Sequence, residues 1–462
     1  MKRKKTGLLK KLQWRAECLA FLTVERFLSF IAIDTLWKAG AGLSGLARLF
    51  ASRWPTVRNN LRTVLGPDAT EEELAILTRD VFRHTAANLL TTLKGSHMSL
   101  EEIRGVLTIE NEEAAWRVYA QKKGTIIIIP HMGNWELLAQ AMPAYQPEIK
   151  MASIFRPLNN IYLDRVLRER RERNGMKMFA KLTSLHGPVK FLKHTQALVL
   201  LVDQRAGRFG TLTPFFGRLM SMSPLPELFS RLSGAPVLGI SMRTNAPGRW
   251  TLRFHEPKLA EGEKFTTVHM AELLENIIRE SVVDEFWMQN LWRINKRRPL
   301  EIRGRTGPVR FERDRDKPLY PFLVLVRVPD HADRFAETVP ALSALAASRP
   351  DMEIHLLARE SLRAPAAAAG FSHSFHAIED DELPAALHGR LQVAIVLTEE
   401  ELAARELARL FAGPTYSLPG VEQSNKHWNL VAADPAFPTT ERWLEVLRIL
   451  GMHDPPLQWE YL

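Results

Sequence analysis

From about Val106 onward, short apolar runs alternate with longer stretches of helical periodicity, the pattern of a chain that lays strands side by side and covers them with helices. Leu107 to Glu110 reads as a strand and Asn111 to Lys122 as a helix stopped by Gly124. Thr125 to Pro130 contains four consecutive isoleucines with no polar alternation, which predicts a strand buried on both faces. Further strands are expected at Ile149 to Phe155, Ala197 to Asp203, Val237 to Arg243 and Trp250 to His255, and helices at Asn134 to Met142, Asn159 to Arg173, Pro224 to Leu232 and Thr266 to Val283.

Between Arg297 and Pro318 the periodicity disappears into an arginine-rich stretch containing Pro299, Gly304, Gly307 and Pro308, which reads as a linker. A second α/β pattern follows, with strands expected at Phe322 to Val328, Ile354 to Leu357 and Val393 to Leu397. The fold class is therefore α/β: a domain with a central mixed sheet flanked by helices, then a second, Rossmann-like α/β half-domain. Its organisation is a basic, apolar membrane-associating segment (1–50), a first domain (51–300), a linker (301–317) and a second domain (318–462), in keeping with a length of 462 residues that exceeds one ordinary core.

The N-terminal segment sets Lys2, Arg3, Lys4, Lys5, Lys10 and Lys11 ahead of an apolar stretch, Cys18 to Trp37. No small-residue cleavage site follows a short apolar core, which disfavours a signal peptide. Glu25, Arg26 and Asp34 interrupt the run, and each charge at a helix centre costs about 2.5–3.5 kcal/mol on the insertion scale, which disfavours a spanning helix. A segment lying on or shallowly in an anionic membrane is the favoured reading, and a core helix with a solvated basic tail is the alternative.

Composition narrows the class. Charged residues make up 25% of the chain and apolar residues 46%, a balance that excludes disordered and fibrous classes. The single cysteine, Cys18, excludes an intramolecular disulfide framework and a cysteine-based zinc site, and it reads as a buried apolar residue in a reducing, cytoplasm-facing setting. Charge is divided unevenly: residues 318–462 carry 11 basic and 20 acidic side chains, the remainder 51 and 32. With no aromatics interleaved among the basic residues and no zinc or recognition-helix signature, nucleic acid is not expected as the partner of the basic part.

The sharpest chemical feature is Pro130-His131-Met132-Gly133-Asn134-Trp135-Glu136 at the end of the isoleucine strand. The carboxyl ends of strands are where open α/β sheets bind ligands, and an imidazole there can take a proton from a hydroxyl near neutral pH. Glu136 falls in the first turn of the next helix, from which it is expected to reach back, orient the ring and stabilise its charged form. Gly133 permits a tight turn and a close substrate approach. No serine or cysteine stands beside the pair in sequence, which favours direct attack by an acceptor hydroxyl. Taken alone, a histidine after a strand is commonly a satisfied structural residue.

In the form His-Met-Gly-Asn-Trp-Glu this motif resembles the signature of the lauroyl and myristoyl acyltransferases of lipid A biosynthesis. Further blocks resemble that family in order: Ile154-Phe155-Arg156-Pro157-Leu158-Asn159-Asn160, Leu201-Val202-Asp203-Gln204-Arg205-Ala206-Gly207, Pro214-Phe215-Phe216-Gly217, Leu228 to Val237, and Phe286 to Trp292 as a closing aromatic helix. The resemblance implies that His131 is the general base and Glu136 its partner, and that Gly133, Asn134, Arg156, Asp203 and Arg205 belong to the substrate-binding set, with Arg156 suited to a phosphate or developing anion. Arg205 stands where the family often has a second acidic residue. The implied reaction moves a fatty acyl group from acyl carrier protein to the hydroxyl of a 3-hydroxyacyl chain on a lipid A precursor. It needs no metal or organic cofactor beyond the carrier's thioester, and it takes place at the cytoplasmic face of the bacterial inner membrane, with the protein peripheral or held by a single N-terminal anchor. An acidic carrier and a phosphorylated acceptor both suit a helix crowded with Arg165, Arg168, Arg170, Arg171 and Arg173. An acyltransferase acting on another glycolipid, such as a phosphatidylinositol mannoside, and a non-catalytic membrane-bound adaptor are the alternatives.

Residues 321–462 resemble the first half of the lipopolysaccharide heptosyltransferases, through Leu325-Val326-Arg327-Val328, Asp333, Thr338 to Leu342, Arg349 to Ile354 and Glu441 to Arg448. The family's glycine is Ala332 here and its nucleotide-binding half has no counterpart in the sequence, so the resemblance implies no independent sugar transfer.

Overall fold

The computed structural model describes residues 7–45, 52–145, 148–180, 185–305, 308–311, 319–380, 382–387, 389–400, 402–419, 427–434 and 436–461. Lys2, Arg3, Lys4 and Lys5 lie outside the described residues, as do 306–307 and 312–318 of the arginine-rich stretch. The chain forms two compact units, Met1–Thr211 with Met222–Leu291, and Leu212–Ser221 with Trp292–Leu462.

The first unit opens with α1 (Leu8–Leu28), α2 (Ile33–Leu43), α3 (Trp54–Leu65), α4 (Glu71–Gly95) and α5 (Leu100–Val106). The apolar stretch Cys18 to Trp37 is two helices, broken at residues 29–32. The charges that interrupt it have different uses. Glu25 is buried, paired with both terminal nitrogens of Arg170, with Ser96 Oγ donating to it at 2.5 Å. Asp34 remains exposed beside Lys38 at 3.7 Å. Asn160 adds a second tie, accepting from Tyr162 N at 3.1 Å as a helix cap while donating to Trp14 O and Glu17 Oε2 at 3.0 Å. Cys18 is buried, as its apolar surroundings predict. Among the described residues, no helix is long and apolar enough to cross a membrane.

Seven strands form the sheet of this unit: β1 (Leu107–Glu110), β2 (Thr125–Ile129), β3 (Met151–Phe155), β4 (Lys177–Ala180), β5 (Ala197–Leu201), β8 (Val237–Ala246) and β9 (Arg249–His255). Their order is β1-β9-β8-β2-β5-β3-β4. All pairs are parallel except β8 with β9, so the sheet is mixed. The isoleucine strand β2 lies inside it, every residue buried, with β8 on one side and β5 on the other. Helices α6 (Glu112–Tyr119), α7 (Trp135–Tyr145), α8 (Ile161–Glu172), α9 (His186–Lys193), α10 (Leu225–Ser233) and α11 (Thr267–Arg279) flank the sheet. Ile127 and Ile129 share a core with Leu138 and Met142 of α7.

Each strand and helix expected between Val106 and Val283 is present, with ends shifted by a few residues. Three pieces lie outside the elements expected there: β4, α9, and the hairpin of β6 (Thr211–Phe215) and β7 (Arg218–Met222), which belongs mostly to the second unit. The aromatic stretch Phe286 to Trp292 is not the expected helix. Its backbone groups are engaged elsewhere: Phe286 N donates to His131 O at 2.9 Å, and Asn60 Nδ2 donates to Trp287 O at 3.0 Å and Gln289 O at 2.6 Å.

The second unit is a six-stranded parallel sheet of β11 (Phe322–Arg327), β12 (Met352–Ala358), β13 (Phe375–Ala377), β14 (Val393–Val396), β15 (Thr415–Ser417) and β16 (Trp428–Leu430), in the order β13-β12-β11-β14-β15-β16. Helices α12 (Ala332–Ala347) and α15 (Thr439–Ile449) contribute to the core on one face, and α14 (Ala403–Leu410) to that on the other; α13 (Arg363–Ala368) follows β12. This is the Rossmann-like half expected from the sequence, with the strand order reversing between β11 and β14. Within the arginine-rich stretch, β10 (Val309–Phe311) pairs in parallel with β17 (Trp459–Tyr461).

Candidate active site

The sheet register assembles the centre of the site. Ile129, the last residue of β2, pairs with Leu201, the last of β5, so the residues two positions beyond each strand, His131 and Asp203, meet at the carboxyl edge. His131 Nδ1 lies 2.8 Å from Asp203 Oδ1 and 2.9 Å from Oδ2. An ionised carboxylate only accepts, so Nδ1 carries the hydrogen and Nε2 keeps the lone pair a base requires. Gln204 Nε2 is 3.2 Å from that Nε2, and Trp135 meets the ring edge-on at 5.2 Å between centroids. Burial pulls the His131 pKa down; the charge and hydrogen bond of Asp203, helped by Glu136 and opposed by Arg171, more than offset this, and the net shift is upward from 6.5.

Glu136 does not reach back to orient the ring. It sits in the first turn of α7, as expected, but its carboxylate is held by Arg171 of α8, Nε to Oε2 at 3.0 Å and a terminal nitrogen to Oε1. A guanidinium fork satisfies both carboxylate oxygens at once, whereas an imidazole offers one donor, so the arginine takes this partner and the imidazole takes Asp203. Glu136 acts on His131 only as a nearby negative charge.

The other sequence-derived residues divide clearly. Gly133 has φ +59°, and a Cβ there would lie 2.2 Å from the Met242 carbonyl oxygen, so the turn and the close approach of the β8 backbone both require glycine. Asn134 is buried and turned toward α4: Thr92 Oγ1 donates to its Oδ1 at 2.8 Å, and its Nδ2 donates to Thr91 Oγ1 at 3.4 Å. Arg156, just beyond β3, is exposed and lines the pocket described below, whereas Arg205 is half-buried and is not part of that lining. Of the five arginines around α8, three are committed internally: Arg170 to Glu25, Arg171 to Glu136, and Arg173 to Ser96 O at 2.8 Å. The basic face of that helix is therefore much smaller than its sequence suggests.

His131 stands at an open cavity of about 330 Å³ between the sheet and helices α7 and α8. Ile129, Val199, Leu201, Met178 and Ile240 line it from the sheet side and Leu138, Ala139, Met142 and Leu167 from the helices, while Arg156, Arg168, Arg171, Glu136 and Gln204 supply polar groups. Among the described residues, no group of three or more metal-ligating side chains forms a metal site. Gln204 was missed as a site residue; its position next to Asp203 beyond β5 is the signal that marks it.

Fold and site together define an α/β protein that presents a carboxylate-held histidine to a largely apolar pocket with cationic side chains at its lining. Comparison with known proteins is consistent with that class. A sequence model of the bacterial lipid A biosynthesis acyltransferases matches residues 1–294, more than half of the chain. The chain belongs to the bacterial lipid A biosynthesis acyltransferase family. It is also 23% identical over 180 residues to a lipid A biosynthesis acyltransferase of Haemophilus influenzae (strain ATCC 51907 / DSM 11121 / KW20 / Rd), a stretch that covers 38% of this chain and 56% of that relative. The chain thus spans about half the length of the curated relative it matches.

Proposed function

We propose that the chain transfers a fatty acyl group from acyl carrier protein to the hydroxyl of a 3-hydroxyacyl chain on a lipid A precursor. The observation that carries this reading is the placement of the Asp203-held His131 at a largely apolar cavity of about 330 Å³, which offers hydrocarbon a pocket beside a base. In the proposed step the acceptor hydroxyl displaces Gln204 from His131 Nε2. Its oxygen then attacks the thioester carbonyl carbon while Nε2 takes the proton. As the tetrahedral intermediate collapses the C–S bond breaks, the imidazolium returns the proton to the departing sulfur, and ester and free carrier thiol result. Asp203 keeps the reactive tautomer and stabilises the imidazolium between the two transfers. Arg156 and Arg168 at the cavity lining are suited to hold the phosphates of carrier or acceptor.

The apolar side chains left exposed along and just after α1, among them Leu8, Leu9, Leu19, Phe27 and Phe30, support attachment to the cytoplasmic face of an inner membrane by a helix lying on its surface. In the second unit the carboxyl edge of β11 and β14 carries an ion network. Arg327 donates to Asp330 at 2.7 Å and to Glu406 at 2.8 Å, and Arg359 donates to the same two carboxylates at 3.2 and 2.7 Å. A carboxyl edge closed by the unit's own ion pairs supports a docking role for this unit rather than sugar transfer. The test is incubation of purified protein with laurate- or myristate-loaded acyl carrier protein and a tetraacyl lipid A precursor, read by mass spectrometry. A gain of one acyl group that His131→Ala lacks supports the proposal; no gain with any donor, or a gain that survives the substitution, contradicts it.

A further inference from the structure

Asp203 touches a second carboxyl group that the proposed proton transfer does not use. Glu285 is 2% exposed, its side chain is hydrogen-bonded to Asp203, and its Oε2 has no partner of its own. The segment that carries it is tied to the histidine loop. Glu285 pairs with Met132 as an isolated antiparallel bridge, Phe286 N donates to His131 O at 2.9 Å, and Gly133 N donates to Asp284 O at 2.9 Å. Backbone flanking Glu285 thus fixes backbone flanking His131.

Two buried carboxyl groups in hydrogen-bond contact do not both ionise, because like charges repel strongly away from water and two carboxylates have no proton to share. Asp203 already accepts from His131 Nδ1, so the proton of the pair belongs on Glu285, whose O–H donates to Asp203. Burial and the charge of Asp203 both push the Glu285 carboxyl well above the usual range, consistent with that placement. The neighbouring Asp284 is engaged separately, with His84 at 2.8 Å and with Thr244 N and Ser281 Oγ donating at 2.7 and 2.8 Å. The charged groups acting on His131 are Asp203, Glu136 and Arg171.

We propose that Glu285 is a positioning residue: held neutral, it donates to Asp203, divides that carboxylate between two donors, and so sets how firmly Asp203 holds the proton on His131. The catalytic consequence rests on His131 being the base of the proposed acyl transfer. Without the Glu285 donor, Asp203 would direct its charge to the imidazolium alone. His131 would stay protonated over a wider pH range and release its proton to the leaving sulfur less readily.

The test compares Glu285→Gln, which keeps a neutral donor of similar size, with Glu285→Met, which removes it, by NMR titration of His131 in histidine-labelled full-length protein, assigned with His131→Ala. Glu285→Gln is expected to titrate within a few tenths of a pH unit of the native protein. Glu285→Met is expected to titrate about one pH unit higher, a tenfold change in the protonation equilibrium. Equal midpoints in all three proteins, or an equal upward displacement in both variants, would overturn the proposal. Should Glu285→Met fail to fold, infrared difference spectroscopy of native protein against Glu285→Gln decides: a protonated-carboxyl band at neutral pH that the variant lacks supports the proposal, and its absence overturns it. Neither readout needs donor or acceptor, so a failure of acyl transfer is distinguishable from a failure of this role.

Discussion

Replacing Asp203 by Asn separates the carboxylate that holds the catalytic ring from the carboxylate the motif advertises. The side chain keeps its size, but the charge 2.8 Å from His131 Nδ1 is lost. A hydrogen bond to a charged partner contributes about 1.5–3 kcal/mol, and losing that from a step in which the imidazolium forms slows it roughly 10- to 150-fold. If the amide also turns its NH₂ toward the ring and reverses the tautomer, the loss approaches the roughly 10⁴-fold seen for the equivalent change in serine-protease triads. The pH dependence gives a second, independent sign. Asp203 raises the His131 pKa above 6.5, and a histidine proposed as the base acts only when neutral, so kcat/KM should rise with pH through a midpoint above that value. In Asp203→Asn, burial and Arg171 still lower the His131 pKa and only Glu136 raises it, so the midpoint moves below 6.5 even as the plateau falls. Glu136→Gln, which loosens Arg171, moves the midpoint down by less. The assay is the pH profile of kcat/KM for acyl transfer with the three proteins. An Asp203→Asn enzyme within threefold of native activity and with an unmoved acid limb would refute the assignment of Asp203 to the ring.

Three further outcomes follow from the packing. Met142 lines both the main cavity and a smaller apolar pocket beside Leu107, Trp116 and Phe254, so Met142→Ala should join the two and shift donor preference toward longer acyl chains, read by competition among carriers of different chain length. Glu25→Ala leaves Arg170 without the partner of a buried pair and should cost about 3–5 kcal/mol in denaturant unfolding, whereas Glu25→Met with Arg170→Met should recover much of it. Native Glu285 keeps its proton well above 4.5, so the stability it contributes is complete below that pH and is lost as pH rises toward its folded value; Glu285→Gln should flatten this decline, which runs at about 1.4 kcal/mol per pH unit, in urea titrations across pH.

Much of the first domain was legible because strand and helix periods are local. Four isoleucines in a row announce an interior strand, and the histidine after them announces a carboxyl-edge site. The pairing of that histidine was not legible, because it depends on register: Asp203 and His131 are 72 residues apart and meet only because β5 lies beside β2 with their ends aligned. Glu136, five residues away, is the partner the motif suggests, but Arg171 of another helix holds it. The arginines of α8 carry the same lesson, since sequence shows their charge but not that Glu25 and Glu136 neutralise two of them. Phe286 to Trp292 failed as a helix because its backbone donors and acceptors serve His131 and Asn60, long-range partners that no local pattern encodes.

The most direct measurement is a single-turnover reaction of the full-length protein with acyl-loaded carrier and tetraacyl lipid A precursor, in which the masses of lipid and protein are followed together. Direct transfer through His131 predicts a lipid heavier by one acyl group, a protein of unchanged mass throughout, and no product from His131→Ala. An acyl group accumulating on the protein before it reaches the lipid, or product formed at native rate by His131→Ala, would contradict it.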